Sequence, residues 1–110
     1  MVSTKWMQGK NELVVYNDDM PVGTGKLLLK DGRYFIEDVC VLKEYRGNHY
    51  GDLIIRMLVR RAVNLGADKT YAEVNKELVK MFNKIGFESI GSNNELHIMV
   101  KNGDVGGHCN

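Results

Sequence analysis

The sequence predicts an α/β fold of the α+β type: a mixed, mostly antiparallel sheet of about six strands carrying two main helices. Three observations predict it. Asp31-Gly32 sits between two strand-like runs, a strong hairpin signal. Near Gly51 the apolar period changes from two to 3.6 residues. A further short β-run follows that helix, which makes a β-α-β unit and so a parallel pair inside an otherwise hairpin-linked sheet.

The elements follow in order. Residues 11–16 carry Leu13-Val14-Val15-Tyr16 and read as a strand. Asn17-Asp18-Asp19 is a turn cluster. Residues 22–30 form the second strand, weakened by Gly23 and Gly25, and residues 34–42 the third. From 51 to 65, Leu53, Ile54, Met57, Leu58, Ala62, Val63 and Leu65 form a broad apolar stripe, with Arg56, Arg60, Arg61 and Asn64 on the polar face. Gly66 is placed to end this helix. Residues 70–74 are a short strand. A second helix over 76–84 turns Leu78, Val79, Phe82 and Ile85 inward, with Asn75 as N-cap and Gly86 as terminator. Residues 87–92 and 95–101 close the sheet as a hairpin, so the order is βββ-α-β-α-ββ.

The length of 110 residues fits one domain, over 1–102, with 103–110 as a flexible, glycine-containing tail. A formal net charge of +1 argues against a dedicated nucleic-acid binder. No apolar run approaches the roughly 20 residues of a membrane span. The first ten residues hold no apolar signal core, so a cytoplasmic location is expected. Cys40 and Cys109 have no ligand spacing, and the His108-Cys109 pair is too sparse for a metal. Cys40, inside a strand, is expected to be a reduced core thiol.

Chemistry concentrates in Arg46-Gly47-Asn48-His49-Tyr50-Gly51, a basic, glycine-containing turn between a strand and a helix. Glycine lets backbone approach a ligand. The unpaired first-turn amides and the helix dipole favour an anion there. Arg46, Gly47, Asn48, His49, Tyr50, Gly51 and Asp52 are therefore the candidate phosphate-binding set. Gly23-Thr24-Gly25-Lys26 is no phosphate loop, since it lacks the upstream Gly and the Ser/Thr after Lys.

This loop and a downstream segment together resemble the GNAT acetyltransferase superfamily over roughly residues 11–102. The family's acetyl-CoA loop has the form Arg/Gln-x-x-Gly-x-Gly/Ala, and Val39-Cys40-Val41 and Tyr45 precede Arg46 as the family's strand does. The second segment is similar to Asn-x-x-Ala-x-x-x-Tyr-x-x-x-Gly-Phe, with Asn75, Leu78, Phe82, Gly86 and Phe87 at those places. The resemblance implies acetyl-CoA as co-substrate, with no metal, and an amine acceptor. Its diphosphate would lie on the loop and its pantetheine arm would pair with the third strand at Val39, Cys40 and Val41. Asn75 and Phe82 would border that arm. An amide near Val39 would polarise the thioester carbonyl. These expectations require the two parallel strands to splay apart.

Glu37 is the candidate general base. Strict alternation puts Phe35, Glu37, Val39 and Val41 on one face, with Asp38 opposite unless a bulge intervenes. His49 replaces the family's middle Gly, and Phe82 replaces its proton-donating Tyr. Tyr45, Tyr50 and Tyr71 are the substitute acids, although a thiolate with a pKa of about 8.5 leaves tolerably without one. The family usually places a strand and two helices before the segment that starts at Asn11. The resemblance thus implies an open acceptor site, or one completed by a second copy of the chain. The alternative is a CoA-binding or interaction module without turnover.

Overall fold

The computed structural model describes residues 1–7 and 11–105. Among the described residues, seven strands form one sheet in the order β1-β2-β3-β4-β5-β7-β6: β1 Val2–Trp6, β2 Glu12–Asn17, β3 Met20–Lys30, β4 Arg33–Val41, β5 Lys69–Asn75, β6 Glu88–Asn93 and β7 Leu96–Asn102. All neighbours are antiparallel except β4 and β5. The βββ-α-β-α-ββ order holds from β2 onward. β1 is the addition. Its residues are exposed up to Trp6, so it carries no burial pattern to read, and main-chain pairing with β2 holds it.

Turn chemistry explains the hairpins. Asp31 and Gly32 both have positive φ and lie directly between the paired Lys30 and Arg33.

 The turn is Asp31-Gly32 alone, with φ of 52° and 75°, the left-handed pair that a two-residue hairpin needs. In the turn between β2 and β3, Asp18 supplies a single positive-φ position, φ 57°, between the paired Asn17 and Met20.

Helix α1 runs Tyr50–Asn64 and helix α2 Val79–Ile85. The second begins later than expected, because Lys76–Leu78 form a 3₁₀ turn. On α1 the fully buried residues are Ile54, Ile55, Leu58, Val59 and Ala62. The predicted stripe is thus rotated by about one position: Leu53, Met57 and Val63 are half-buried at its margin, and Leu65 is exposed. Each fully buried Ile, Leu or Val side chain among them contributes about 1.5–3 kcal/mol. The helix lies across β2, β3, β4 and β5, and α2 packs beside it. Val105 is buried in the same core, while His108 and Cys109 lie outside the described residues.

One irregularity decides the site. Lys26 pairs with Glu37 and Thr24 with Cys40, so β4 holds one more residue than β3 across this interval. The extra residue is a β-bulge at Asp38, whose φ is 54°. Gly25 lies opposite. A Cβ there would stand 2.6 Å from Ile54 Cγ2 and 2.9 Å from Leu58 Cδ1. Gly25 is therefore what lets α1 press onto the sheet at the bulge, and the glycines of β3 are packing residues rather than weak points.

Candidate functional site

β4 and β5 pair only from Tyr34↔Thr70 to Ile36↔Ala72, and beyond Ile36 they separate. The gap is a cleft of about 220 Å³ lined by Ile36, Glu37, Asp38, Val39, Glu73, Val74, Asn75, Leu78, Phe82 and Leu96. The splay required of the parallel pair is present. Glu37, Val39, Asn75 and Phe82, chosen from sequence, meet around it.

The bulge corrects the alternation on β4. Ile36 is fully buried beneath the helix layer, so Phe35 and Glu37 face the other way. After Asp38 the phase changes. Val39 and Val41 now pack toward α1, with Cγ2 atoms 3.5 Å and 3.4 Å from the Cβ positions of Gly25 and Gly23. Glu37 thus does not share a face with Val39 and Val41. Cys40 is likewise not a core thiol but free and exposed.

The loop is compact. Lys43–Tyr45 form a 3₁₀ turn after β4. Arg46 donates from Nε to the Val41 carbonyl at 3.1 Å, and Asn48 from Nδ2 to the Tyr45 carbonyl at 3.1 Å. Arg46, Gly47, Asn48 and His49 are exposed, whereas Tyr50 and Gly51 are buried where α1 begins. Gly47 has φ of 87° with open space around its Cβ position, so its backbone conformation, not crowding, calls for glycine. His49 is the N-cap in the left-handed region, φ 65°, and makes no side-chain cap. Asp52 is tied to Arg56 at 2.8 Å.

Asn75 makes no side-chain cap either, which corrects its expected capping role; the chain enters a 3₁₀ turn there, and Asn75 borders the cleft instead. Phe82 is 2% exposed and meets Phe87 edge-to-face at 5.1 Å. None of Tyr45, Tyr50 and Tyr71 lines the cleft. Tyr45 donates to Met20 Sδ at 3.3 Å, and Tyr71 packs on Phe35 with ring centroids 5.3 Å apart.

Sequence reading missed Glu73 and Lys30. The Lys30 ammonium bridges Glu37 and Glu73, 2.5 Å from each carboxylate, and lies 4.6 Å from the Phe35 ring centroid. Alternation along β5 could have found Glu73, because Thr70, Ala72 and Val74 are buried and Tyr71 and Glu73 face as Glu37 does. Nothing local signals Lys30, which reaches across from β3.

These contacts shift two groups. Hydrogen bonds from Lys30, then from Glu37, hold Glu73 below its ordinary value of 4.5. Hydrogen bonds to Glu37, then to Glu73, raise Lys30 above its ordinary 10.5. Glu73's stabilisation is therefore present above about 4.5 and lost as pH falls through its lowered value. Lys30's is present below 10.5 and lost as pH rises through its raised value. Lys30→Met is expected to lower stability by at most about 1 kcal/mol, given the exposure of the ammonium. In thermal melts the deficit should be greatest between those limits and vanish at both extremes; a pH-independent deficit would show that lost packing, not charge, is responsible.

Among the described residues, no group of three or more His, Cys, Asp or Glu is placed to hold a metal ion, and no helix is long and apolar enough to cross a membrane.

Residues 3–87 match the model of the Acetyltransferase (GNAT) family. The chain is 33% identical over 75 residues to the uncharacterized N-acetyltransferase YjcF of Bacillus subtilis, covering 68% of this chain and 54% of that protein. It is 31% identical over 90 residues to the uncharacterized N-acetyltransferase YobR of the same organism, covering 79% of this chain and 35% of that one. It therefore spans about half the length of the first and a third of the second. Among solved structures, the PaiA N-acetyltransferase of Thermoplasma acidophilum, in complex with coenzyme A, superposes with a TM-score of 0.75 at 16% identity, over 83% of this chain and 59% of that one. At that identity the likeness establishes a shared fold.

Proposed function

The chain belongs to the acetyltransferase (GNAT) family, and on that premise we propose that it transfers an acetyl group from acetyl-CoA to an amine. The observation that carries the reading is the splay of β4 from β5 directly below the loop at the start of α1. A strand edge without a partner can pair with the amide-containing pantetheine arm, as an added strand would. The diphosphate would sit on Gly47 to Gly51, against the first-turn amides of α1, with Arg46 and Asn48 beside it. Val39, Cys40 and Val41 would supply the pairing backbone, and an amide near Val39 the oxyanion contact. Asn75 and Phe82 would border the arm.

Glu37 is the base in this reading. It would take a proton from the acceptor ammonium, the amine would attack the thioester carbonyl, and collapse of the adduct would expel the thiolate. Phe82 offers no hydroxyl to protonate that thiolate, which favours a second reading, a CoA-binding module with little turnover.

Thermal melting with acetyl-CoA tests the binding step: ligand at about 100 times its Kd adds roughly 2.7 kcal/mol. Release of free thiol with a panel of amines tests the chemistry. A shift without thiol release would favour the binding module; no shift would remove both readings. Gly47→Ala, which forces a side chain into the left-handed region, is expected to cost about 1–2 kcal/mol. Melts with and without acetyl-CoA divide that cost between fold and affinity. An unchanged melting temperature and unchanged ligand shift would take the loop out of the binding site.

A further inference from the structure

We propose that Lys30 is an acetylation site of the protein itself, modified by its own cleft. The inference rests on the acetyl-transfer reading and extends it to an acceptor that the chain carries.

Three observations place the amine. Lys30 Nζ contacts both Glu37 and Glu73, and both carboxylates line the cleft between β4 and β5. The ammonium is held over the Phe35 ring, so the long side chain is drawn along the sheet toward the splay rather than outward from its hairpin. Its side chain is 42% exposed, which leaves it free to move the short way into the cleft and its product free to leave. Lys26 is the natural comparison. It also meets a cleft-lining carboxylate, Asp38, at 2.9 Å, but that carboxylate is 71% exposed and is its one ion-pair partner among the described residues. Two carboxylates and an aromatic face make a seat for an ammonium; a single exposed carboxylate does not.

The step balances with an acetyl thioester as the co-reactant. Glu37 accepts one proton from the Lys30 ammonium. The freed nitrogen lone pair attacks the carbonyl carbon and forms the C–N bond. The second proton leaves nitrogen as the tetrahedral adduct collapses, the C–S bond breaks, and the electron pair departs on sulfur, which takes up a proton from solvent. Tethering replaces a bimolecular encounter by an intramolecular one. The product amide is neutral, so both ion pairs and the cation–π contact are lost, and Glu37 and Glu73 become available to an incoming amine.

The test uses the full chain incubated with acetyl-CoA and read by intact mass and fragment-level peptide mapping. The expected result is one acetyl group, on Lys30, with a first-order rate constant that does not change with protein concentration. Lys30→Arg, which keeps the charge, should abolish it, and Glu37→Gln should slow it at least tenfold. Acetyl groups spread over the surface lysines, acetylation on Lys26 instead, or a rate constant that rises with protein concentration would each overturn the proposal. Acetyl-CoA binding and amine turnover without Lys30 acetylation would sink this inference alone, whereas absence of acetyl-CoA binding would sink the acetyl-transfer reading beneath it.

Discussion

Glu37→Gln is expected to lower acetyl transfer about 10²–10⁴-fold, the usual contribution of a positioned general base. The side chain stands where β4 leaves β5, on the cleft wall, and keeps its shape in the amide. Glutamine cannot accept the proton, so the loss should fall on kcat, with the acetyl-CoA-induced melting shift retained. The pH–rate profile is the sharper readout. Without the base, transfer should depend on the free amine alone, so the profile should move toward the ionisation of the acceptor itself. Lys30→Met, which keeps the carboxylate, provides the comparison. An unchanged profile in Glu37→Gln would take Glu37 out of the mechanism.

The second large effect is on the fold. Gly25→Ala puts a methyl group 2.6 Å from Ile54 Cγ2 and 2.9 Å from Leu58 Cδ1, both on fully buried side chains. Both are enclosed by the core, so these side chains, α1 or β3 must shift. Overpacking of this kind costs about 1–3 kcal/mol. For a domain near this size that is a fall of roughly 4–8 °C in Tm for each kcal/mol. Because Gly25 lies opposite the bulge, the cleft should also deform, and acetyl-CoA should stabilise the variant less than the parent protein. A melting temperature within a degree or so of the parent would show that the contact is slack.

The order of elements along the chain was legible because its signals are local. Asp31-Gly32 makes a turn through its own backbone preferences, and α1 announces itself by a stripe around Ile54, Leu58 and Ala62. The loop from Arg46 to Gly51 was legible for the same reason: a strand, a glycine with positive φ and a helix start are adjacent in the chain. β1 was not, since an exposed edge strand has no apolar alternation to read.

What the chain alone determined was the inventory from β2 onward: which segments form strands and helices, where the turns fall, and which loop meets a helix N-terminus. Tertiary structure decided the phase of β4 and the company Glu37 keeps. The bulge at Asp38 lies opposite a glycine that packs against two side chains of α1, and the Lys30 bridge joins three strands. Periodicity is a property of one segment, whereas a one-residue shift in phase is settled by the neighbours that pack against it.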